Sequence, residues 1–294
     1  MLKNSFAVLG LSFLVLTALA FGAEGDSEVE SVEAGELAAA VETPSTTDIY
    51  GSLDLRPSVY PNSASPTGAG AGLENTLEAG VKIGANTKIG YVQVFNANFS
   101  NSPLTGGSDL EAGDGWFKAS FANLWVSEDG NTNFSYQPRV YLPTAPAARD
   151  AGMITTVRNY LTLSTKYSDS FSLATSLVPI VHFFDRSGNG AKPNKAFETR
   201  LYVIPTFNFT ERLSLSVPVM AHYNLSRSHG GVQNNTFVLW TWPELLYSLD
   251  NTNTVGVAYY SGNFLKGAAG SQTLDFGNGF GNESAFQVVY QASL

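Results

Sequence analysis

The sequence of 294 residues predicts an all-β fold: a single closed antiparallel transmembrane β-barrel of about 12 strands. Three observations predict it. From Asp48 onward apolar and polar residues alternate with period 2. The links between the alternating segments are short and long by turns. Aromatic residues gather at the segment ends. Composition agrees, since only 14% of residues are charged, where soluble domains carry about a quarter. Hydrophobic content is 44%, yet past the first segment no apolar run is long enough for a membrane helix. The apolar residues are dispersed, as period-2 strands require.

Residues 1–20 read as a signal peptide. Lys3 supplies the positive start, Phe6 to Leu16 the apolar core, and Ala18-Leu19-Ala20 a small-x-small cleavage site. Export across the inner membrane is therefore expected. Residues 21–47 form an acidic leader carrying Glu24, Asp26, Glu28, Glu30, Glu33, Glu36 and Glu42. These seven leave 18 of the 25 acidic residues to face 15 of the 16 basic ones, so the formal charge of −9 belongs mostly to the leader. Within the leader, Ser27 to Glu42 has Val29, Val32, Leu37 and Val41 near one side of a short helix. A periplasmic contact or lumenal plug and a solvated tail are both compatible with it. There is no Cys, which excludes disulfides, thiolate chemistry and a lipid-bearing cysteine. No basic footprint supports nucleic-acid binding, and no cofactor motif is present.

Residues 48–294 carry the strands. Ile49, Gly51, Leu53, Leu55 and Val59 oppose Tyr50, Ser52, Asp54, Arg56, Ser58 and Tyr60. Leu77, Ala79, Val81 and Ile83 oppose Glu78, Gly80 and Lys82. Phe134, Tyr136, Val140 and Leu142 oppose Ser135, Gln137, Arg139 and Tyr141. Leu201, Val203 and Phe207 oppose Arg200, Tyr202, Thr206 and Asn208. Leu213, Leu215, Val217, Val219 and Ala221 oppose Ser214, Ser216, His222 and Asn224. Short links lie near 84–87, 127–132, 168–170, 210–212 and 250–253, and long ones near 61–75, 100–113, 143–152, 185–196, 225–235 and 264–282. Short periplasmic turns and long extracellular loops would keep such a rhythm; a soluble sandwich has no reason to. Phe95, Phe99, Trp116, Phe117, Phe183, Phe197, Tyr223 and Phe237 sit beside long links. Trp125, Phe134, Tyr167, Phe171, Phe207, Phe209 and Tyr247 sit beside short ones, which predicts two interfacial girdles. Pro138, Pro179, Pro205, Pro218 and Pro243 are expected to interrupt five strands, as a belt of bulges or as local irregularities.

In the last segment Phe286, Val288, Tyr290, Ala292 and Leu294 alternate with Gln287, Val289, Gln291 and Ser293. This resembles the C-terminal signal of Gram-negative outer-membrane β-barrels, with Leu294 where an aromatic is usual. The resemblance covers about 48–294 as a pattern of strands and loops. It implies the outer membrane as location, its lipid as partner, and the barrel-assembly machinery as reader of the last strand. Nothing specifies an oligomeric state.

The polar face should line the interior. Its strand charges are Arg56, Lys82, Lys118, Arg139, Arg158, Lys166 and Arg200 against Asp54, Glu78, Glu198 and Glu244, with Lys88 of undetermined facing. The basic excess favours anions in a confined pore, and Arg139 and Arg158 should be neighbours. Salt bridges filling the lumen are the alternative. Tyr50, Tyr141, Tyr160, Tyr202, Trp240 and Trp242 should also face inward. Stacking faces beside charges suit sugars or nucleosides, and serve equally as packing. In architecture and lining the chain resembles twelve-stranded channels for acidic oligosaccharides and nucleosides. The expected function is a porin-like channel for small hydrophilic solutes; a filled structural or adhesion barrel is the second reading, and an outer-membrane hydrolase the third. His182, His222 and His229 offer no metal-ligand spacing; a rim pair of His182 with Asp185 would resemble the outer-membrane proteases and a lipid-facing Ser-His pair the phospholipase, but neither arrangement stands out and the alternation turns His182 and His222 inward. Catalysis is not expected.

Overall fold

A computed structural model describes residues 47–60, 70–98, 110–190, 192–233, 235–266, 273–276 and 284–293. The expected signal peptide and nearly all of the acidic leader lie outside the described residues, as do Phe99 and Leu294.

Twelve strands follow one another around the wall. They are β1 (Thr47–Tyr60), β2 (Gly70–Ile83), β3 (Thr87–Asn98), β4 (Gly115–Val126) and β5 (Thr132–Leu142). Next come β6 (Met153–Ser168), β7 (Phe171–Phe184) and β8 (Lys195–Asn208). Then β9 runs in two pieces (Leu213–Ser216 and Val219–Ser226), as does β10 (Thr236–Thr241 and Glu244–Ser248). The last are β11 (Asn253–Tyr260) and β12 (Ala285–Ser293). Each strand pairs antiparallel with the next, and β12 pairs with β1 through Leu53↔Ala292 and Leu55↔Tyr290. Closure leaves no edge, so backbone polar groups can be satisfied within the wall.

Period 2 then sorts the side chains. Ile49, Leu77, Phe117, Val140, Leu201, Val257 and Phe286 are exposed on the outside, Ile49 by 85%. Their strand neighbours Tyr50, Glu78, Lys118, Arg139 and Arg200 are buried inside. A soluble protein would have the reverse distribution. An apolar exterior of this extent is stable only against lipid.

The short links are tight turns at one end. Gly84 adopts φ 68° and Gly130 φ 72°, where a Cβ is disfavoured. Asp129 accepts from the Ser127 hydroxyl (2.5 Å) and from the amide of Asn131 (3.1 Å), which together hold its pKa down to about 2. Asp250 accepts from the amides of Thr252 (2.7 Å) and Asn253 (2.8 Å), with the same result. At the other end the long links include a short helix, α1 (Pro146–Asp150). The first long link is shorter than expected, because β2 already begins at Gly70.

Two further expectations need correction. Trp116 is not part of a girdle: it is 7% exposed, faces inward and stacks on Tyr141 at 4.8 Å. Its parity, opposite to exposed Phe117, decides this. Of the five prolines, only Pro218 and Pro243 fall at strand breaks; Pro138, Pro179 and Pro205 stay in register opposite Asn159, Thr199 and Leu173. Pro205, Pro218 and Pro243 do align, since their carbonyls accept from the amides of Val217 (2.9 Å), Trp242 (3.2 Å) and Tyr259 (3.0 Å). Register is the same on both sides of this seam (Val203↔Val219 and Thr206↔Ser216), so these are breaks without an inserted residue. A register shift occurs instead in β4 between Phe121 and Trp125, where Asn123 takes φ 52°.

Candidate channel interior

Among the described residues, the interior is built from three carboxylate-centred clusters, one cationic-aromatic arc and one apolar arc. On β2, Glu78 accepts the Tyr50 hydroxyl at 2.6 Å and pairs with Lys118 of β4 at 2.7 Å. Gly80 and Gly90 make room for Tyr50. A Cβ at Gly80 would stand 2.7 Å from its ring, and one at Gly90 2.6 Å from its hydroxyl. Lys88 lies 5.6 Å from the centre of the same ring, which places its ammonium inside.

Arg56 joins distant strands. It donates to Asp54 (3.1 Å) on its own strand, to Glu244 of β10 (2.6 Å) and to the Tyr260 hydroxyl of β11 (3.1 Å). Gln291 of β12 donates to Asp54 at 3.1 Å. The third cluster surrounds Glu198 of β8, which is 1% exposed. Lys195 approaches it at 2.9 Å, Arg200 at 3.1 Å, and the imidazoles of His182 (β7) and His222 (β9) at 3.1 Å each, one on either oxygen.

Lys118, Arg139 and Arg158 are successive register partners on β4, β5 and β6. Rings hold the guanidinium groups: Arg139 lies 4.1 Å from the centre of Tyr160 and 5.5 Å from that of Trp116, and Arg158 lies 4.0 Å from Tyr141. Arg139 also donates to Gln137 at 2.7 Å. Across the lumen, from β6 to β12, Tyr160, Val178, Ile180, Tyr202, Ile204, Met220, Trp242, Tyr260 and Val289 pack as one buried apolar cluster, with Trp240 against it. Among the expected lining residues, Arg56, Lys118, Arg139, Tyr141, Arg158, Tyr160, Arg200, Tyr202 and Glu244 are thus inward and buried. Trp240 is half-buried beside His222. Lys82 shares their face but stands exposed beside the Gly84 turn, and Lys166 pairs with Asp169 at the mouth.

Sequence reasoning missed the glycine slot beneath Tyr50, the reach of Lys195 and the apolar arc. The last had a signal, since Leu177 to Val181 is apolar on both faces. His182 does not pair with Asp185, in keeping with its inward facing: Asp185 pairs with Arg186 at 2.8 Å, and His182 turns to Glu198. His229 bonds Ser187 (2.8 Å) and the Gly190 carbonyl (3.0 Å) within the loops. No group of three or more potential metal ligands is arranged to hold an ion among the described residues.

No family model matches the chain, and no curated protein matches it. Solved structures do. An outer-membrane channel from Pseudomonas putida F1 superposes with a TM-score of 0.60 at 8% identity, covering 91% of this chain and 100% of that one. The NanC porin does so with a TM-score of 0.53 at 9% identity, covering 82% of this chain and 98% of its own. The chain shares with both the fold of a closed antiparallel β-barrel. At such identities only the fold is shared. What the chain does must be read from its own lining.

Proposed function

We propose that the protein is a channel of the Gram-negative outer membrane through which small hydrophilic solutes diffuse passively, with a preference for anions. The row of Lys118, Arg139 and Arg158 on three adjacent strands carries this reading. Glu78 pairs with Lys118 of that row at 2.7 Å. Cations inside a low-dielectric wall raise the local concentration of anions. Arginine edges suit carboxylates and phosphates, while Trp116, Tyr141 and Tyr160 offer the stacking faces that a sugar acid would use. Diffusion requires no catalytic group, and the inward His182 and His222 are engaged with Glu198. The outward row Phe286, Val288 and Tyr290 of β12 is proposed as the segment that the assembly machinery reads.

One observation favours the filled-lumen reading. Arg56, Glu78, Lys118 and Glu244 are buried and paired, as in a barrel closed by salt bridges. Reconstitution in a planar bilayer under a salt gradient separates the two. Conducting steps are expected, with a reversal potential favouring anions that moves toward zero in Arg139→Ala plus Arg158→Ala. A silent barrel would establish the filled-lumen reading, and cation selectivity would refute the anion preference.

A further inference from the structure

We infer that His182 and His222 are specificity-determining residues that make the selectivity of the lumen depend on pH. The inference rests on the channel reading and adds to it a titratable charge. Both imidazoles approach Glu198, one from each side, so three adjacent strands contribute to one cluster. All three side chains are inward and buried. His222 Nδ1 has no hydrogen-bond partner among the described residues, so a proton there adds a charge without breaking a bond.

The surroundings bound what protonation does. On β8 the imidazoles face Glu198, Lys195 and Arg200. From β6, Arg158 acts on His182, whose Nδ1 meets the Thr156 hydroxyl at 2.9 Å. Arg227, past the end of β9, donates to the His182 carbonyl at 3.4 Å. From β10, the Trp240 ring lies 6.2 Å from His222, and Val238 is its register partner. Glu198 is the single carboxylate in this set, and Lys195 and Arg200 already compensate it. Imidazole is the side chain whose ordinary range spans mildly acidic to neutral pH. Each proton taken up therefore adds net positive charge to a lumen that is already basic. Such a charge need not touch the solute, because the field of a low-dielectric wall reaches across the pore. Anion preference should rise on acidification.

The full chain is reconstituted in a planar bilayer under a potassium chloride gradient, and the chloride-to-potassium permeability ratio is read from pH 8 to pH 5. The ratio is expected to rise by about twofold or more. His182→Gln plus His222→Gln should flatten the rise while the barrel keeps its heat-modifiable, folded migration. A ratio that does not change with pH, or that rises equally in the folded double variant, overturns the inference. If the double variant does not fold, histidine ring NMR of the wild-type barrel decides, with His229 assigned through His229→Gln. Two further imidazoles titrating between pH 5 and 8 uphold the inference, and two that do not titrate refute it. A conducting barrel that is cation-selective at every pH, yet gains chloride permeability in acid, fails the anion reading while upholding the role of the histidines.

Discussion

Glu78 and Lys118 are both almost wholly removed from solvent, with side chains 5% and 6% exposed, and lie 2.7 Å apart. Two buried charges are tolerated only together. Glu78→Gln removes the carboxylate charge that Lys118 meets at 2.7 Å and is expected to cost about 3–5 kcal/mol, read as a lower urea midpoint in lipid vesicles. Adding Lys118→Met should restore most of that loss. An unchanged midpoint in the single variant would show that the pair does not stabilise the wall. The Tyr50 ring depends on its neighbours in another way. Gly90→Ala would set a methyl 2.6 Å from the Tyr50 hydroxyl, so the ring must leave Glu78. A changed Tyr50 ring resonance is the expected signature.

At the scale of the element, the turns and strand breaks follow local chemistry. Asp250 closes the turn before β11 by accepting from two backbone amides, and its carboxyl is held down to about 2 against an ordinary 3.8. A depressed folded value means that ionisation stabilises the turn. That contribution is complete above about 3.8, shrinks as pH falls through the interval, and is gone below about 2. Carboxyl NMR should show Asp129 and Asp250 titrating together near 2, apart from ordinary exposed carboxylates. A midpoint near 3.8 would mean that these turns are open in solution. The prolines belong to this scale too. Pro205, Pro218 and Pro243 all still serve the ladder through the carbonyl, the group proline retains, and Pro205 stays within its strand. Pro218 and Pro243 coincide with breaks, and neither shifts register.

Across the whole molecule, the wall divides lipid from lumen one residue at a time. Leu201 points outward near the middle of β8, and Arg200 beside it is buried inside. Leu201→Arg is expected to cost about 2–4 kcal/mol in unfolding from lipid vesicles, as for a charge at the bilayer midplane. Leu201→Val should cost little. A tolerated arginine would mean that this face does not meet lipid. The lumen also divides, with the cationic-aromatic arc on β4 to β6 and the apolar cluster from β6 to β12. The rule that barrel interiors are polar concealed that second arc, although the doubly apolar stretch Leu177 to Val181 announced it.

Strand number, link rhythm and the facing of nearly every side chain were legible in the sequence, because facing is a local property of an extended backbone with period 2. The same rule placed Arg139 beside Arg158, since neighbouring strands joined by a short link or loop inherit a narrow range of registers. Trp116 shows the limit: its position near a strand end suggested a girdle, while its parity put it inside. Partners across the lumen were not legible. Arg56 meets Glu244 across 188 positions of sequence, and Glu198 gathers His182 and His222 from the strands on either side. The first meeting depends on the closure of β12 on β1, and the second on the register of three adjacent strands. The sequence by itself thus determined a barrel with a basic, aromatic interior. Only the tertiary structure decided which charges compensate one another, because compensation depends on distances that exist once the ring has closed.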